Sequence, residues 1–155
     1  MELLNFSLQS TPTTVTLVEG GREWELHNYA VLQSAQYSPL DNILTLTWGL
    51  GDFPVPAGVN PWGGLGNRAR GCKISFEGVR YFEIASGEAA GGADDNATLS
   101  YMAHVSLPSS DARIPADLRI KRDWKEGEPH NLLFEFQSGR RIEVGADRAR
   151  FASIE

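Results

Sequence analysis

Apolar and polar residues along this chain alternate with a period of two, and no long 3.6-residue stripe of a helix interrupts them. From Leu99 to Leu107 the odd positions Leu99, Tyr101, Ala103, Val105 and Leu107 are apolar, with Ser100, His104 and Ser106 between them, which predicts a half-buried strand. Leu44, Leu46 and Trp48 alternate with Thr45 and Thr47, and Ile74 and Phe76 with Lys73, Ser75 and Glu77, predicting two more. The C-terminal signal is the clearest. Leu132, Phe134 and Phe136 alternate up to Ser138-Gly139 and the pattern resumes at Ile142 and Val144, a tight hairpin in which Gly139 supplies the positive φ. A further reversal near Gly145, leading to Ala149, Phe151 and Ser153, makes this end of the chain read as a three-stranded meander.

Glu77-Gly78 marks another turn, with Val79 to Ala85 as its partner strand. Upstream, Val15 to Val18, Trp24 to His27 and Tyr29 to Tyr37 read as strands separated by Glu19-Gly20-Gly21 and a bend at Asn28. Ile114 to Trp124 fits two descriptions, a short helix with Pro115 in its first turn or a strand with Leu118, Ile120 and Trp124 in phase, and the pattern leaves both open. The fold class expected is mainly β: an antiparallel β-sandwich or partly open barrel with at most one or two short helices. Two connections interrupt it, the Pro- and Gly-rich residues 49 to 71 and the Gly- and Asp-rich residues 86 to 96. Long connections of this kind are usually functional loops or disordered ones.

Length adds that the 155 residues make one domain, residues 1–155, large enough to bury a core without a metal or disulfide staple. Hydrophobic residues at 41% and charged residues at 22% exclude disorder of the whole chain. The formal charge of −6 is spread along the chain without a basic half, which argues against a nucleic-acid partner because phosphate affinity needs clustered Lys and Arg. No apolar run approaches the roughly 18 residues that cross a bilayer as a helix, so no membrane partner is expected. Cys72 is the single cysteine, and the start Met1-Glu2-Leu3-Leu4-Asn5 lacks a signal-peptide pattern; both point to the cytoplasm.

The chemistry on offer is thin. Gly64-Leu65-Gly66-Asn67-Arg68-Ala69 matches a dinucleotide fingerprint in letters but lacks the strand before and the helix after that make it work. His27, His104 and His130 have no metal-ligand spacing, and Cys72, with Arg70 and Lys73 nearby, has no adjacent histidine as base and reads as a small core residue. Glu23 and Glu25 flank Trp24 as a glycosidase pair would, and also as any exposed strand does. Asp94-Asp95-Asn96 lacks the spacing of a calcium loop. No catalytic residue, cofactor or metal is therefore assigned. Arg119, Lys121, Arg122, Arg140, Arg141, Arg148 and Arg150 would form a basic strip, yet Glu135, Glu143 and Asp147 interleave with them as cross-strand pairs do.

Leu26-His27-Asn28, Leu44 to Trp48, Ile74-Ser75-Phe76-Glu77-Gly78-Val79 and Leu133 to Ile142 together resemble a group of small bacterial β-rich proteins, some of them similar to immunity proteins that neutralise polymorphic toxins. The resemblance spans residues 26 to 145 in outline and rests on strand patterns; where that group has His-Asp, this chain has His27-Asn28. It implies a β fold that binds another protein. Within the long connection, Phe53, Trp62, Arg68 and Arg70 have the aromatic-plus-Arg composition of a binding hot spot, and are the candidate partner-binding residues. The competing expectation is that Phe53 and Trp62 fold back to pin the loop onto the sheet. A protein-binding module of immunity or accessory type is thus expected. The alternatives are a carbohydrate or small-ligand binder stacking on Trp62, Trp24 or Trp124, and an enzyme assembled from distant strands. A homodimer would suit the same features.

Overall fold

The computed structural model describes residues 1–11, 13–51, 62, 69–87, 95, 97–106 and 130–155, so the segment Ile114 to Trp124 lies outside the described residues. The described residues form strands and no helix: β1 (Glu2–Leu3), β2 (Ser7–Thr11), β3 (Thr14–Glu19), β4 (Arg22–Glu25), β5 (Ala30–Ser38), β6 (Ile43–Leu50), β7 (Gly71–Glu77), β8 (Tyr81–Ala85), β9 (Leu99–Val105), β10 (Asn131–Phe136), β11 (Arg141–Gly145) and β12 (Arg148–Ile154). They build a five-stranded sheet in the order β1-β12-β7-β6-β5, a four-stranded sheet β8-β11-β10-β9 and a three-stranded sheet β2-β3-β4. Every pairing is antiparallel except β1 with β12. None of the sheets closes into a barrel, so of the two expected architectures the sandwich is the one formed.

Two chain segments run through both larger sheets side by side. β7 pairs with β12 up to Glu77↔Arg148, and β8 pairs with β11 from Tyr81↔Gly145 onward, so one bent ribbon supplies strands to each sheet. Gly78, Val79 and Arg80 on one arm lie against only Ala146 and Asp147 on the other, and the extra residue bends the ribbon as a bulge does. Gly78 has φ of 65°, which favours glycine, and the Asp147 N–H donates to the carbonyls of Glu77 and Gly78 at 3.1 and 3.2 Å. Arg80 closes the corner with Asp147 Oδ1 at 2.8 Å and the Ala146 carbonyl at 2.9 Å.

This corner corrects two expectations. The turn at Glu77-Gly78 exists, but β7 and β8 do not pair as a hairpin, and β12 leaves β11 to join β7 instead of completing a meander. The hairpin of β10 and β11 across Gly139, with φ of 77°, forms as expected. β1 and β2 carry too little alternation to have been read from the sequence. β1 adds to the edge of β12, and the Asn5 side chain extends that contact by pairing with both backbone groups of Phe151 at 2.9 Å.

The core fills the space between the sheets. Trp48 and Phe76, from the five-stranded sheet, meet Phe134 of β10 at centroid distances of 5.6 and 6.2 Å. The three-stranded sheet closes one end, where Trp24 packs on Phe151 of β12 at 5.0 Å. Each fully buried phenylalanine contributes about 1.5–3 kcal/mol relative to exposure. In β9 the expected phase is corrected: Leu99 is buried, but Met102 takes the next inner position and Tyr101 is 44% exposed. The cause is a bulge, since Phe136 faces Leu99 while Glu135 faces Tyr101, and the skipped Ser100 hydroxyl donates to the Glu135 carbonyl at 3.0 Å.

Candidate functional site

β5 lies across the four-stranded sheet. Near its start the Leu32 N–H donates to the Ala97 carbonyl, and Val31 bridges Thr98 just before β9; near its end Tyr37 meets Phe82 of β8. The two ends of β5 therefore touch opposite edges of that sheet, and the sandwich is left open beside Tyr37. Tyr37 stands opposite Leu44, Phe82 opposite Val144 and Ile84 opposite Ile142, so all three share the face of buried neighbours. They are nevertheless 41%, 39% and 45% exposed, because the facing sheet does not extend over them.

Leu40 at the tip of the β5–β6 hairpin, three residues beyond Tyr37, is 96% exposed. The tip is held by its own polar groups: Tyr37 Oη donates to Asn42 Oδ1 at 3.0 Å, Ser38 Oγ donates to Asp41 Oδ2 at 2.7 Å, and Asn42 adopts φ of 53°. The Val79 N–H donates to the Asn42 carbonyl at 3.3 Å, tying the tip to the ribbon corner. An aliphatic residue is thus presented on a braced turn, which lowers the entropy lost when a partner orders it.

Around the corner from this patch lies a groove of about 550 Å³ lined by Glu2, Asp41, Ile43, Glu77, Gly78, Asp147 and Arg148. Three of its carboxylates are engaged, Glu77 by Arg148 Nε at 2.6 Å, Asp147 by Arg80 at 2.8 Å and Asp41 by the Ser38 hydroxyl at 2.7 Å. No histidine or cysteine lines it. Among the described residues no group of three or more His, Cys, Asp or Glu side chains is placed to hold a metal ion. On the outer face of the four-stranded sheet, Glu83 and Glu143 stand directly opposite each other; Tyr81 Oη donates to Glu83 Oε2 and Asn131 Nδ2 to Glu143 Oε1 at 2.7 Å.

Of the four candidates named from sequence, Phe53 and Arg68 lie outside the described residues. Trp62 corrects the outward-facing expectation: it is 3% exposed, its ring 5.6 Å from that of Trp24, so it packs onto the core. Arg70 is exposed and its N–H donates to the Ile154 carbonyl at 2.7 Å, at the far end of β12 from the open edge. Trp24 is fully buried, and a stacking platform built on Trp24 and Trp62 is not at the surface. Cys72 is buried in the core as expected, and desolvation pushes its thiol far above the ordinary range, so it stays protonated at neutral pH. His104 pairs with Leu132 on the inner face of the sheet, a consequence of the β9 bulge, and not on the outer face where simple alternation put it. Within the basic strip Arg141 pairs with Glu135 at 2.9 Å and Arg148 with Glu77, while Arg140 lies over the Phe136 ring at 5.7 Å.

The exposed residues Tyr37, Leu40, Phe82 and Ile84 were missed by sequence reasoning. Phe82 and Ile84 alternate with Glu83 as in any half-buried strand, and nothing local says that the strand ends its sheet. Comparison with protein families, with characterised proteins and with solved structures finds no match for this chain. No helix among the described residues is long and apolar enough to cross a membrane.

Proposed function

We propose that this chain is a non-enzymatic protein-binding module that engages its partner through the open edge formed by β5, the β5–β6 tip and β8. The observation that carries this reading is the exposure of Tyr37, Phe82 and Ile84 on a core-side face, with Leu40 at the neighbouring hairpin tip 96% exposed. Contiguous apolar surface of this kind costs solubility unless something covers it, and it is what recognition sites present. Of the candidates in the long connection, Trp62 is committed to the core, and this reading rests on the open edge instead. An immunity or accessory role, as the sequence resemblance implies, is one use of such a surface. A lone, buried cysteine is in keeping with a reducing, cytoplasmic setting.

The test places a photo-crosslinking amino acid at position 84 and irradiates it in cells of the source organism. The captured protein is then purified and titrated against the wild-type chain, Leu40→Asp and Ile84→Glu. A dissociation constant weakened at least about ten-fold in both variants is expected, since each removes a buried apolar contact of roughly 1.4 kcal/mol or more. Equal affinity for wild type and both variants, or no adduct at position 84, refutes the proposal.

A further inference from the structure

The geometry points to strand addition at β8: an extended segment of the partner, carrying Lys or Arg flanked by apolar residues, pairs with the free edge of the four-stranded sheet. This inference rests on the open edge being the interface. β8 ends its sheet, and among the described residues no strand pairs with its far side. The other edges of the two larger sheets are blunted. β5 carries a register shift between Leu32 and Ser34, β9 carries one opposite Glu135 and Phe136, and β1 is two residues long. β8 runs in unbroken register with β11 over all five residues and presents a regular template.

A second copy of this chain is a poor occupant. Antiparallel self-pairing centred on Tyr81–Ala85 sets Glu83 against Glu83, and Glu143 stands beside each on the next strand of the same face. Like charges directly opposite one another destabilise a strand pair, and two chains of charge −6 repel as they approach. The same carboxylate favours a cation. With Tyr81 Oη bound to it, Glu83 is held on the outer face at the centre of the strand, facing the middle residue of any incoming segment. The residues on either side of that basic position then lie on the opposite face, beside Phe82 and Ile84, and fill the open wedge next to Tyr37. Glu83 thus both blocks self-association and selects an apolar-basic-apolar partner.

The probes are two peptides, acetyl-Thr-Val-Lys-Val-Thr-amide and the same sequence with Glu in place of Lys. Each is titrated to millimolar concentration into the ¹⁵N-labelled full chain, with amide hydrogen exchange read residue by residue. Strand addition predicts exchange slowed in alternate residues of Tyr81–Ala85, and an affinity about ten-fold higher for the Lys peptide, as a favourable cross-strand pair replaces an unfavourable one. Glu83→Lys, at an exposed position, should reverse the preference. No protection in β8, or indistinguishable affinities for the two peptides, overturns the inference. If Ile84→Glu weakens the captured partner while neither peptide protects β8, the edge is an interface but not by strand addition; if the peptides protect β8 while that variant leaves the captured partner unaffected, the strand template stands and the choice of that partner's surface falls.

Discussion

Tyr37 of β5 and Phe82 of β8 meet with ring centroids 5.2 Å apart and planes tilted by 45°, although they belong to different sheets. The pair forms the last aromatic contact between the layers before the sandwich opens. Because both rings are about two-fifths exposed, the contact joins stability to recognition: the same atoms brace the sheets and face a partner.

Tyr37→Ala and Phe82→Ala are each expected to lower unfolding free energy by about 1–2 kcal/mol, below the 3–5 of a fully buried ring. The double variant should show a coupling of about 0.5–1.5 kcal/mol in a cycle measured by urea denaturation. Strictly additive losses would mean the rings contribute independently.

Trp62 and Arg70 should separate sharply. Trp62→Ala removes a buried ring packed on Trp24 and is expected to cost about 3–5 kcal/mol, with a change in tryptophan emission on the folded state. Arg70→Ala, at an exposed side chain, should stay within about 0.5 kcal/mol. Denaturant midpoints of the two variants decide this.

At the ribbon corner, Gly78→Ala places a methyl group in the left-handed region and against the Asp147 carboxylate. The conformational strain alone is about 1–2 kcal/mol, and displacement of Asp147 also breaks its ion pair with Arg80. Adding Asp147→Ala should return part of the thermal midpoint lost by Gly78→Ala, because the clash with the carboxylate disappears, leaving the strain and a close contact with the Cβ of residue 147. A double variant no more stable than the single one would show that crowding plays no part.

Cys72 gives the alkaline limb of stability. Its thiol is raised by burial, so the folded chain keeps the proton while the unfolded chain loses it above about pH 8.5. The group is silent below that value, and stability falls as pH rises above it, by up to about 1.4 kcal/mol per unit. Cys72→Ala should flatten the decline between pH 8.5 and 10 in urea titrations, whatever its effect at neutral pH, and a thiol reagent should label wild type only on unfolding.

Much of the strand content was legible because burial alternates with the pleat. β6 reads Leu44, Leu46 and Trp48 inward in sequence and in structure alike. The phase of β9 was not legible beyond Leu99, because a single bulge residue, Ser100, exchanges the faces of everything after it and has no composition of its own. The buried Trp62 was legible only as one of two alternatives, since an indole in a Gly- and Pro-rich connection serves equally as an anchor for the loop or as a contact for a partner.

The amino-acid pattern by itself determined that the chain is mainly β, that Gly139 turns a hairpin, and that Cys72 is a core residue, because each depends on near neighbours in the chain. The tertiary structure alone decided that β12 follows β7 around the corner, that β8 ends its sheet, and that Phe82 and Ile84 lie uncovered beside Tyr37. Those facts depend on which strands come together from distant parts of the chain. An edge strand and a central strand carry the same alternation, and only the presence or absence of a neighbour distinguishes them.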